Sequence, residues 1–196
     1  MLHLRMFTSR FRQRKNFLPP SVVLLHLRGM GIRRDARERA VQFLFQHDVN
    51  PPEDVTEALG YFWNTQRSAA IAAADGKATW GESVELPAPT VDEVAMAEFA
   101  EPLIRGVLEH RDALDAAIIA QADNWDLHRM AVVDRNILRL AAFEMLHRED
   151  IPPVVSINEA VDIAKKFSTD ESGKFVNGIL DKIRAGLERP ARTATA

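Results

Sequence analysis

Cysteine is absent from all 196 residues, which excludes a disulfide framework and any thiolate metal site. No apolar run approaches the roughly 18 to 20 residues that a membrane span needs; Ser21–Leu27 comes nearest and is far too short. No Walker loop, Gly-x-Ser-x-Gly, Gly-x-Gly-x-x-Gly or His-x-x-x-His pattern occurs, and Gly29-Met30-Gly31 and Asp75-Gly76 read as turn signals. Glu144 and His147 have the Glu-x-x-His spacing of di-iron bundles, but such sites need two copies and only one is present. Without a nucleophile, phosphate loop or metal cluster, neither catalysis nor a cofactor is expected.

What is present is the composition of one globular domain, with 46% hydrophobic and 27% charged residues. Acids are missing from residues 1–34, which carry eight Lys/Arg; the remainder holds 17 basic against 28 acidic residues, a net of -11. A basic end on an acidic body suits a polyanion at one and a cationic partner at the other, although a basic tail can also be merely solubilising.

Residues 1–29 show no clear periodicity and contain Pro19-Pro20, so a disordered basic extension is expected there. An Arg-rich, acid-free leader also resembles a transit peptide; alternatively Met30 is the true start. The spacing predicts helices over Asp35–Asp48, Val55–Ala73, Val91–His110, Asp112–Ala122 and Leu127–His147. Asp75–Pro89 reads as a loop, Thr90 and Glu93 form a capping box, and Pro102 is expected to kink or divide its helix.

The stretch Ile151–Asp181 reads as a helical hairpin. Ser156/Glu159 and Ser168/Glu171 have capping-box spacing, followed by the apolar stripes Ile157, Ala160, Val161, Ala164, Phe167 and Phe175, Val176, Ile179, Leu180, Ile183. The fold class is therefore all-α, a compact bundle of about six or seven helices over residues 30–189 with a disordered tail at 190–196.

The runs N-E-A-V-D-I-A-K-K-F and K-F-V-N-G-I-L-D, preceded by V-D-R-N-I-L-R-L-A-A-F-E-M-L, resemble the bacterial NusB family of transcription antitermination factors. The resemblance covers Arg33 to about Asp48 and about Met96 to Leu187, and is weakest over residues 50–90. It implies a cytoplasmic RNA-binding protein that recognises boxA-type single-stranded RNA with the ribosomal protein NusE. It also implies work within the transcription elongation complex alongside other Nus factors, with no membrane role. The alternative from a different class is a NusB-like interaction or accessory domain of an RNA-modifying enzyme.

On a helical wheel of the first helix, Ala36, Ala40, Phe43 and His47 form an inner stripe; Arg34, Arg37, Glu38, Val41 and Phe45 face outward, with Gln42 at the margin. Arginines and an aromatic on an outer face suit single-stranded RNA, while a wide apolar face with Phe45 buried is the competing reading. The resemblance implies RNA contacts at Arg33, Arg34, Arg37, Glu38, Gln42 and Phe45, with Asp35 interrupting a tract that is often all arginine. It implies a second half of the RNA surface at Glu171, Ser172, Lys174, Phe175 and Asn177, where Phe175 fits burial as readily as stacking. Asp126 and Asp134 are the implied contacts to the basic ribosomal partner. Arg135 and Arg139 are expected to be solvated.

Overall fold

The computed structural model describes residues 20–75, 86–122 and 126–188, with side chains from residue 31 onward except at 74, 75 and 128. Residues 1–19 of the extension expected at 1–29, most of the Asp75–Pro89 loop and the tail at 190–196 lie outside the described residues, while residues 20–29, expected to be disordered, are helical. Within them the chain forms seven α-helices and no strand: α1 Pro20–Val49, α2 Val55–Asp75, α3 Val91–Glu109, α4 Arg111–Ile119, α5 Val132–His147, α6 Pro153–Phe167 and α7 Asp170–Ala185. A 3-10 turn at Leu127–Arg129 precedes α5.

Helix α1 begins at Pro20, well before the expected Asp35. Proline suits a first helical position because its missing N–H has no intrahelical acceptor there, and no proline interrupts residues 21–49. Helix α3 opens on the expected box: Thr90 accepts from the Glu93 amide while Glu93 accepts from the Thr90 amide. Pro102 does not divide it; the helix runs through to Glu109.

The other two expected caps shift. Helix α6 starts at Pro153, three residues before Ser156, because proline again takes the first turn. Ser156 is thereby buried inside the helix with its Oγ lacking a hydrogen-bond partner among the described residues. In α7 the cap is Thr169 rather than Ser168, its hydroxyl accepting from the Ser172 amide at 3.0 Å.

Helix α5 is the axis of the bundle, packing against α1, α3, α4, α6 and α7. Its Ile137, Leu138, Leu140, Ala141, Ala142, Phe143 and Met145 are all buried, the mark of a helix enclosed on every side. Each such Leu or Ile contributes about 1.5–3 kcal/mol relative to exposure. Against it α3 approaches closely at Gly106, where a Cβ would overlap the Phe143 ring. Helix α1 is wedged between α3 and α5, so Val41 and Arg37 are buried along with Ala36, Ala40 and Phe43. The single-sided wheel fails for this reason: two flanks of α1 are covered.

Helix α5 also corrects the expectation that Arg135 and Arg139 are solvated. Arg139 is buried and holds Asp115 with two hydrogen bonds of 2.6 and 2.8 Å. Both arginines reach Asp48 at 2.9 Å, and Arg111 reaches its other oxygen at 3.1 Å. Burial alone would raise the Asp48 pKa, but these guanidiniums outweigh it and hold the carboxyl below its ordinary range.

Candidate nucleic-acid interface

The expected RNA residues lie on α1 and α7, and the structure sets them on either side of the start of α5. Near the N-terminal end of the described side chains, Arg33 and Arg34 are exposed on α1. The Arg33 guanidinium sits 5.5 Å from the centre of the Phe99 ring, a cation–π distance, with Arg37 at 5.1 Å and Arg148 at 5.7 Å. Three guanidiniums around one ring concentrate charge there; Asp150 relieves it by pairing with Arg148 at 2.8 Å.

Arg37 corrects the outward reading. It is only 5% exposed, and its Nε donates to Glu144 Oε1 at 2.8 Å in the interior. Its role in this geometry is to neutralise Glu144, itself buried, and to stiffen α1 against α5. Arg34 remains outside and forks across to α6: Nε and Nη2 donate to the two Glu159 oxygens, and Nη2 to Asp162, all at 2.9 Å. The Glu159 hydrogen bond and charge raise the Arg34 pKa above its already high ordinary value. One turn on the polarity reverses, with Lys166 of α6 donating to both oxygens of Glu38 at 2.6 and 2.8 Å.

Further along the α1–α6 seam the side chains become apolar. Gln42, whose Oε1 accepts from Arg39, and Phe45, 41% exposed, line a cavity of about 410 Å³ with Val41, Val133 and Phe167. Phe45 is thus neither buried nor isolated. A second cavity of about 330 Å³ begins at the next residue of α5, lined by Arg129, Asp134, Glu171, Ser172 and Phe175. Phe175 is partly buried against the core yet still forms part of this wall.

Asp134 is the second correction. It does not stand out from the surface: it is 7% exposed, its Oδ2 accepts from the Ser172 hydroxyl at 2.9 Å, and its Oδ1 has no hydrogen-bond partner among the described residues. Asp126 is exposed ahead of the 3-10 turn. Glu171 and Lys174 pair with each other at 2.7 Å, and Asn177 donates to Asp181 at 3.0 Å, all at the surface.

The two cavities share no lining residue, but one is lined by Val133 and the other by Asp134, so the α1 and α7 groups lie on either side of the first turn of α5. Sequence reasoning missed Phe167 here. Its periodicity assigns it to the α6 core stripe, but it is the last residue of its helix and is 36% exposed. It also missed Glu159, read as a cap, and Lys166; helical spacing alone carries no signal for a partner on α1. Among the described residues no cluster of three or more metal-ligating groups occurs, and no helix is long and apolar enough to cross a membrane.

The sequence pattern of the NusB family matches residues 34–185. The transcription antitermination protein NusB of Trichlorobacter lovleyi is 43% identical over 166 residues, covering 85% of this chain and 99% of that protein. The Bacillus subtilis protein of the same name is 42% identical over 157 residues, covering 80% and 98%. The structure of T. maritima NusB superposes with a TM-score of 0.58 at 34% identity, covering 79% of this chain and 91% of that one. The fold is shared as well with a chain from a crystal structure of the antitermination factors NusB and NusE in complex with dsRNA. There the TM-score is 0.57 at 24% identity, over 81% and 99% of the two chains.

Proposed function

The chain belongs to the NusB family, and from that premise we propose that it is a transcription antitermination factor that binds boxA-type single-stranded RNA together with the ribosomal protein NusE. It acts on RNA polymerase during transcription of ribosomal RNA operons, with other Nus factors, in the cytoplasm and without catalysing a reaction. The observation that carries this reading is the family match over most of the chain, to relatives whose names state antitermination. Those names favour it over an accessory domain of an RNA-modifying enzyme.

The RNA face in this reading is the band from Arg33, Arg34, Glu38, Gln42 and Phe45 on α1 to Glu171, Ser172, Lys174, Phe175 and Asn177 on α7. Guanidinium and ammonium groups take phosphates, while Phe45, Phe167 and Phe175 offer ring faces to unstacked bases. Arg37 contributes by fixing α1 rather than by touching RNA, and Asp134 by holding Ser172. Asp126, on the acidic body, faces the basic ribosomal partner.

The test is fluorescence anisotropy of a labelled boxA-like RNA titrated with the full chain, with and without purified NusE, over a salt series. Tighter binding with NusE, weakening as salt rises, is expected. With about four phosphate contacts the slope of log K against log salt is about -3 for a single strand. Absence of RNA binding in both conditions would refute the reading.

A further inference from the structure

Arg34 is an exposed arginine of the expected RNA face, yet its fork is already occupied. Two of its nitrogens donate to both oxygens of Glu159 and to Asp162, each at 2.9 Å. A carboxylate facing a guanidinium edge-on takes the geometry a phosphate would take, so the α6 acids stand where RNA would bind. The seam as a whole holds three acids, Glu38, Glu159 and Asp162, against two bases, Arg34 and Lys166, and so opposes rather than attracts a polyanion.

The exposure of each partner decides which pairs can open. Arg34 is 46% and Asp162 49% exposed, so this pairing is worth little net and can be exchanged. Glu159, at 15%, is held more firmly from α6. Arg37 and Glu144 lie in the interior and cannot be reached by a phosphate.

We propose that Glu159 and Asp162 are specificity-determining positioning residues that occupy Arg34 in place of phosphate, so that RNA wins this contact only by displacing them. The proposal rests on the RNA-binding reading above. An RNA anchored by base contacts along the aromatic band stays in place long enough to displace the acids. A strand held mainly through its phosphates, with weakly stacking bases such as uracil, does not. The acids thus lower affinity for any polyanion and leave discrimination to the bases.

The experiment uses the full chain, wild type and E159Q/D162N, with labelled oligouridine and boxA-like RNA over a salt series. Oligouridine binding is expected to tighten about fivefold in the variant, the upper range for releasing an exposed pair. The slope of log K against log salt steepens by about 0.7, one added phosphate contact, which a merely structural role would not produce. Adding R34A to E159Q/D162N should cancel both changes. D162N alone, the milder substitution at the more exposed acid, should give part of the gain and serves if the double variant does not fold. Wild type that binds boxA-like RNA, with variants that keep its oligouridine affinity and slope, overturns the inference and leaves the RNA reading intact. Wild type that binds neither RNA overturns both.

Discussion

Two charge clusters sit 14 residues apart on α1, about 21 Å along its axis, and they use the same chemistry for opposite ends. At Asp48 the carboxylate is nearly enclosed and meets Arg111, Arg135 and Arg139, which joins the end of α1 to α4 and α5. At Arg34 the guanidinium is almost half exposed and meets two acids across the α1–α6 seam. Removing one partner inside strands a desolvated charge, whereas outside water replaces what is lost. Charge pairs of similar length, 2.9 Å at either site, therefore fix the fold in one place and remain exchangeable in the other. Distance does not separate them; burial does.

The comparison can be broken most directly at Arg139. Arg139→Ala leaves Asp48 and Asp115 short of their buried counter-charge and is expected to cost about 3–5 kcal/mol in urea unfolding. A loss under 1 kcal/mol would show that this cluster behaves like a surface pair.

Arg34 and Arg37 sharpen the contrast within one helical turn. Arg37→Ala removes the guanidinium hydrogen-bonded to the buried Glu144 and is expected to lower stability by about 3 kcal/mol, so that its loss of RNA binding follows the fraction unfolded. Arg34→Ala should cost less than about 1 kcal/mol of stability. Thermal unfolding monitored by circular dichroism checks both.

Acid provides a third test. Asp48 is held below its ordinary value of 3.8, so its contribution is present above that value and lost as pH falls through the lower folded pKa. His47 is pushed below 6.5 chiefly by burial; its contribution is present above 6.5 and declines as pH falls beneath it, because the unfolded chain then binds the proton more readily. Stability measured from pH 7 down should show a shallow decline below 6.5 and a steeper one below 3.8. The smallest effect is expected at Lys166→Ala, under 1 kcal/mol and erased in high salt, measured by unfolding with and without added sodium chloride.

The helices themselves were legible, since apolar periodicity and the Thr90–Glu93 box follow from local geometry. The pairings were not. Ser156 and Glu159 fit a capping box by spacing, but Pro153 starts the helix earlier and frees Glu159 to meet Arg34, 125 positions away. Arg135 and Arg139 look like a solvated face until α1 and α4 bring Asp48 and Asp115 against them. Arg37 sits inside because both α3 and α5 cover α1, and Asp134 because Ser172 of α7 closes over it. The residue types expected at the interface were readable one by one; which of them are already engaged depends on long-range contacts.

Gly106 gives the bundle a mechanical property. With the Phe143 ring standing where a side chain would be, α3 and α5 fit together like a tooth in a notch, and any larger residue at 106 would push them apart. Phe99, which carries the guanidiniums of Arg33, Arg37 and Arg148, rides on α3, while Val133 and Asp134, each lining one of the two cavities, ride on α5. The groups at either end are thus carried by two helices whose closest approach leaves no room for a side chain at position 106.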